Sequence, residues 1–137
     1  MKIAIINFGS GNLTSIINFF NRNFTCDINI FDQPSLDLDS SSVLVIPGVG
    51  HFGHAANYIN SKHLDESIHS FASSKKPVIG ICLGAQLLTH SSEEAKGIKG
   101  LGLINAHCLS LNSHPSYNKN IPRIGWSGIT GCEISSY

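Results

Sequence analysis

The chain has 137 residues, of which 42% are hydrophobic and only 13% charged, against a usual charged share of about 25%. A chain of this length supports one domain that hides roughly two thirds of its unfolded surface, and it rules out a multidomain machine. Nine Lys and Arg balance nine Asp and Glu, which argues against nucleic acid or an anionic membrane as the main partner, since both demand clustered positive charge.

Neutral polar residues replace the missing charge: there are 19 Ser and 12 Asn. The near-zero balance favours association. Cys26, Cys82, Cys108 and Cys132 are widely spaced with no C-x-x-C, so neither a disulfide scaffold nor a zinc knuckle is expected. The apolar run Ile3–Ile6 is too short for the core of a signal peptide, and no stretch approaches a membrane span. These features predict a cytoplasmic protein with reduced thiols.

In chain order, residues 2–7 form a β-branched run typical of a strand buried on both faces, broken by Phe8-Gly9-Ser10-Gly11. From Asn12, an N-cap candidate, Leu13, Ile16, Ile17, Phe20 and Phe24 recur as one helical stripe that would pack on the sheet. Cys26–Phe31 reads as a second strand, the Ser- and Asp-rich stretch 35–42 as a surface loop, and Val43–Ile46 as a third strand stopped by Pro47-Gly48-Val49-Gly50. One helical segment is expected over about 54–74, with Leu64, Ile68 and Phe71 inward. A fourth strand follows at 77–81 and a helix at Leu83–Leu88. Strands separated by helices imply right-handed crossovers and a doubly wound, open parallel α/β sheet. Beyond Gly97, Leu101–Leu111 offers one or two strands, 112–120 a polar loop, and Ile121–Trp126 another strand candidate.

Gly80-Ile81-Cys82-Leu83-Gly84 is a G-x-C-x-G pattern at a strand-to-helix junction, the setting of a nucleophile elbow. A turn this tight lifts one side chain off the carboxyl edge of the sheet and crowds its flanks so closely that only glycine fits there. Cys82 would also meet a helix N-terminus, which favours thiolate over thiol, and the Leu83 N–H would face an oxyanion formed by its attack. Pro47-Gly48-Val49-Gly50 ends the neighbouring strand at the same edge, where ligands bind in open α/β sheets, so the Gly48–Gly50 loop is the candidate second oxyanion donor. Gly9-Ser10-Gly11-Asn12 resembles a phosphate cradle but lacks the third glycine and the lysine. His51 and His54 are three apart with no further ligand at metal spacing; no metal or other cofactor is expected. His51 is the internal candidate for a general base, although no orienting carboxylate accompanies it.

Residues 80–88 resemble the nucleophile segment of class I glutamine amidotransferases. The Pro47–Gly50 loop, the Ser92–Gly97 stretch with Gly100–Ile104, and Ile121–Trp126 are similar to glutaminase subunits of imidazole glycerol phosphate synthases over nearly the whole chain. The resemblance implies a flavodoxin-like amidotransferase fold in which Cys82 attacks the carboxamide of glutamine. Leu83 and the loop of Gly48, Val49 and Gly50 would hold the oxyanion, and Gln86 would help bind glutamine. It also implies that ammonia passes to a (β/α)8-barrel cyclase subunit in histidine biosynthesis, with Asn12 and Trp126 at the interface. The family's catalytic His and Glu lie in a His-Pro-Glu segment beyond residue 137, and no His-x-Glu occurs in this sequence. Residues 1–137 would then be the N-terminal portion of a glutaminase domain. Ala85 replaces the family's usual Met, and Ser127 its usual Asn. Three other readings stay open: a related amidotransferase serving surface-sugar biosynthesis, a catalytically incomplete regulatory module, and an elbow-cysteine hydrolase or redox protein.

Overall fold

The computed structural model describes residues 1–9 and 11–113. Strands β1 (Lys2–Ile6), β2 (Asp27–Phe31), β3 (Val43–Gly48) and β4 (Val78–Cys82) form one parallel sheet in the order β2-β1-β3-β4. Helix α1 (Leu13–Asn23) links β1 to β2, α2 (Phe52–Ser61) and α3 (Leu64–Ser73) link β3 to β4, and the single-turn α4 (Leu83–Leu87) leaves β4 directly. Successive side chains of a strand point to opposite faces, and both faces are covered. Ile3, Ile5 and Val45 pack with Phe20, Leu13, Ile16 and Ile17 of α1. Ala4, Ile6, Leu44 and Ile46 join Phe52, Ile59, Leu64, Ile68, Phe71 and Leu87 in the larger core on the other side. The sheet is therefore doubly wound, as the buried apolar runs of its central strands β1 and β3 require.

Strand order reverses between β1 and β3, because the chain moves outward to β2 and then returns past β1. That switch point opens a crevice outside the carboxyl ends of the strands. The backbones close on each other there: a Cβ on Gly11 would lie 3.5 Å from the Gly48 Cα.

Three expectations need correction. The segment 54–74 is two helices, not one, joined at Lys62 and His63, with His63 in the left-handed region at φ 55. A continuous helix would have placed Lys62 and His63 beneath Ile59 on the buried stripe, so the chain turns and brings in Leu64 instead. β3 does not stop at Pro47: Pro47 pairs with Ile81 and Gly48 with Cys82. Its pairing with β1 ends at Val45, so Pro47 lies where β3 has one neighbour and its missing N–H is tolerated. Phe24 lies past the end of α1, 48% exposed, in ring contact with Phe19 and Phe20. The stretch 101–111 holds one strand, within the expected one or two: β6 (His107–Cys108), paired with β5 (Ser91–Ser92); before it, the Leu101, Gly102 and Ile104 N–H groups donate to the Leu87, Thr89 and Leu88 carbonyls around the end of α4. The strand candidate 121–126, Trp126 and Cys132 lie outside the described residues. Among the described residues, no helix is long and apolar enough to cross a membrane.

The sidedness of the core gives a stability test. Phe71 is fully buried and Phe19 is 56% exposed, so Phe71→Ala should cost about 3–5 kcal/mol in urea unfolding. Phe19→Ala should cost less than about 1 kcal/mol.

Candidate active site

The β4–α4 junction is built by two close approaches. A Cβ on Gly84 would fall 1.6 Å from the Ile46 carbonyl oxygen, and one on Gly80 would fall 2.6 Å from the Ala85 Cα. Neither position admits any other residue without moving backbone. Between them Cys82 takes φ 55 and ψ −116, a conformation that costs a non-glycine residue about 1–3 kcal/mol and persists only where the surroundings impose it. The Cys82 side chain is exposed and makes no capping bond to α4. With only five residues, α4 has little dipole to offer. What the turn supplies are first-turn N–H groups without intrahelical partners, that of Leu83 among them.

Gly48 stands directly across the sheet from Cys82, at the strand spacing of about 4.8 Å. The pairing of β3 through Gly48 thus brings the candidate oxyanion loop to the candidate nucleophile. A Cβ on Gly48 would fall 2.4 Å from the Phe8 ring, so Phe8, from the loop after β1, closes the space beneath. Val49 and Gly50 are exposed, and Gly50 sits at φ +113, where glycine is favoured.

α2 begins immediately after this loop, and two side chains hold its first amides. His51 Nδ1 accepts from the Gly53 N–H at 3.1 Å, and Glu94 Oε2 accepts from the Phe52 N–H at 2.7 Å. His51 is thereby an N-cap, with its Nδ1 lone pair already engaged, which is a different use from the general base considered on sequence. Gln86 is four residues after Cys82, one turn further along the chain. It opens onto a cavity of about 570 Å³ lined also by Ser92, Glu93, Glu94, Lys96 and Cys108. Glu93 is held by the Ser110 N–H at 2.7 Å and the Ser113 hydroxyl at 3.1 Å.

Of the remaining candidates, Asn12 caps α1 by accepting from the Ser15 N–H at 3.2 Å. The His51 and His54 rings lie 5.2 Å apart. Among the described residues no group of three or more His, Cys, Asp or Glu is arranged to hold a metal. Sequence reasoning missed Phe8 and Glu94. The signal that could have found Glu94 is a Ser followed by two acidic residues, the pattern of a capped turn, and Ser92 accepts from the Glu94 N–H at 3.2 Å.

Residues 4–122 match the model of the CobB/CobQ-like glutamine amidotransferase domain. The chain belongs to that glutamine amidotransferase family. It is 40% identical to the imidazole glycerol phosphate synthase subunit HisH of Helicobacter hepaticus over 93% of this chain and 61% of the relative. It is 35% identical to HisH of Thermotoga maritima over 94% of this chain and 63% of the relative. A third relative, the imidazole glycerol phosphate synthase hisHF of Emericella nidulans, is 41% identical over 73% of this chain and 18% of the relative. The amidotransferase chain thus spans about three fifths of the HisH proteins it matches. The crystal structure of a putative peptidase E protein from Listeria monocytogenes superposes with a TM-score of 0.54 at 13% identity, covering 76% of this chain and 63% of that one, a likeness of fold.

Cys82 is exposed, whereas Cys26 and Cys108 are half-buried, with the Cys108 sulfur 3.5 Å from the Thr89 hydroxyl. A glutamine-like electrophile should therefore label Cys82 at least tenfold faster than either, as read by peptide mass mapping. Comparable labelling of Cys26 or Cys108 would remove Cys82 from the role of nucleophile.

Proposed function

We propose that this chain is the N-terminal portion of a glutaminase subunit of an imidazole glycerol phosphate synthase in histidine biosynthesis. The observation that carries the reading is Cys82, exposed and at positive φ, directly opposite Gly48 at the carboxyl edge of the sheet. The Cys82 thiolate attacks the carboxamide carbon of glutamine. The Leu83 N–H and the Gly48–Gly50 loop, with Val49 at its tip, bind the resulting oxyanion. The C–N bond then breaks, the nitrogen takes a proton and leaves as ammonia, and water hydrolyses the γ-glutamyl thioester to glutamate and free thiol. Gln86, at the mouth of a cavity that carries both signs of charge, binds glutamine.

The ammonia passes to a (β/α)8-barrel cyclase subunit, with Asn12 and Trp126 at the contact; the resemblance supports this reading. In the Emericella relative the matched segment is a minor part of a much longer chain, which supports a glutaminase working beside a larger synthase body. No cofactor is required, because each step is acyl transfer to sulfur or water.

Protonating the leaving nitrogen and activating the deacylating water require a titratable group within hydrogen-bond reach of the thiol. His51 is engaged as a cap, so the reading assigns that task to the His-Pro-Glu segment implied beyond residue 137. Residues 1–137 should hydrolyse glutamine at least a hundredfold more slowly than the same chain extended through that segment, each measured by glutamate release with the barrel partner present. Full activity in the short chain, lost in His51→Ala, would make His51 the base and overturn this assignment.

Gly50→Pro in the extended protein tests the loop. Loss of one oxyanion donor should lower turnover by about 100- to 1,000-fold with a smaller change in KM. Equal losses in binding and turnover would show the loop to be only a binding surface.

A further inference from the structure

We propose that Glu94 is a positioning residue for the Gly48–Gly50 loop: reaching from the turn after α4, its carboxylate fixes the first N–H of α2 and with it the backbone that faces Cys82. The inference rests on the glutaminase reading and adds to it a residue that acts through backbone.

The tip of the loop stands at the surface. Val49 and Gly50 are exposed, and a Cβ on Gly50 would meet no atom within 4 Å. Its conformation is therefore set by its two ends. One end is Gly48, paired to Cys82 in the sheet. The other is Phe52, whose side chain is fully buried and whose N–H donates to Glu94 Oε2 at 2.7 Å, the short length of a charge-assisted bond. A carboxylate at the start of the ten-residue α2 also complements the positive end of the helix.

The carboxylate is itself held. Ser92 accepts from the Glu94 N–H at 3.2 Å and shapes the turn. Close packing seats that turn on α2, since a Cβ on Gly53 would meet both the Ala95 Cβ and the Ile98 Cδ1 at 3.0 Å. The bond joins residues 42 apart in sequence, so the turn after the nucleophile helix and the loop opposite the nucleophile move as one unit. Loss of the carboxylate frees Phe52 N–H and lets the Val49 and Gly50 peptides rotate away from the oxyanion. That affects the tetrahedral state more than the bound ground state.

The test uses the full chain with Glu94→Ala and with Glu94→Gln, whose amide oxygen still accepts from Phe52. The probes are a glutamine-like chloroketone, attacked at its carbonyl by Cys82, and iodoacetamide, which needs no oxyanion site. Glu94→Ala should lower the maximal chloroketone inactivation rate by 10- to 100-fold, a larger factor than any rise in half-saturation, with iodoacetamide alkylation unchanged. Hydrogen exchange at the Phe52 amide should accelerate in the same variant, and Glu94→Gln should recover the rate to within a few-fold. Should Glu94→Ala fold poorly, Glu94→Asp, one methylene too short, carries the same expectation. A raised half-saturation concentration with unchanged maximal rate would overturn the proposal by making Glu94 a direct ligand contact. Unchanged Phe52 exchange, or an equal loss with iodoacetamide, would also overturn it. Failure of the unmodified chain to label at Cys82 would instead defeat the glutaminase reading, and this inference with it.

Discussion

The space between Gly84 and the Ile46 carbonyl governs the site. A methyl group at residue 84 would overlap that oxygen at 1.6 Å, so α4 lies against β3 at a distance that only backbone can reach. From this contact follow the sharpness of the β4–α4 turn, the need for a second glycine at Gly80, and the positive φ of Cys82 between them. An ordinary junction would let Cys82 relax toward a commoner conformation and turn its sulfur away from Gly48. The strain is sustained because both neighbours are anchored: Ile46 is fully buried and Leu83 nearly so in the larger core.

That core is what makes a local cost of about 1–3 kcal/mol tolerable. Side chains such as Ile3, Ile5, Leu44, Val45 and Ile46 are each wholly removed from water, and each contributes about 1.5–3 kcal/mol relative to exposure. The two central strands are thus the rigid part of the molecule, and the site hangs from their carboxyl ends. Farther from that frame, Val49 and Gly50 are exposed at the tip of their loop. It depends on hydrogen bonds at the start of α2, contributed by His51 and Glu94.

The parts legible in sequence are those written in local chemistry. β-Branched runs marked β1, β3 and β4, the alternation of Cys26–Phe31 marked β2, and the glycines at 80 and 84 announced the elbow. The break at His63 was present in the sequence as well, because a helix continued from Ile59 would bury Lys62 and His63; it carries neither Gly nor Pro and so lacked the usual punctuation. The extension of β3 through Pro47 was not legible, since it depends on β1 ending its pairing at Val45. The bond from Phe52 to Glu94 was still less so. Nothing local relates residues 42 apart, and only the folded chain brings the turn after α4 to the start of α2. His51 shows the converse case: a histidine near a candidate nucleophile suggests a base, yet the nearest unsatisfied donor is the Gly53 amide of its own helix, and the side chain serves that.

The central claim is that Cys82 carries the acyl group. An activated γ-glutamyl ester with a p-nitrophenol leaving group needs no proton on departure, so residues 1–137 can be acylated even where deacylation is slow. Mass mapping of the quenched protein should show one γ-glutamyl adduct on the peptide containing Cys82, with about one equivalent of p-nitrophenol released in the burst and neither seen in Cys82→Ser. An adduct on another cysteine at similar yield, or a burst that survives Cys82→Ser, would contradict it.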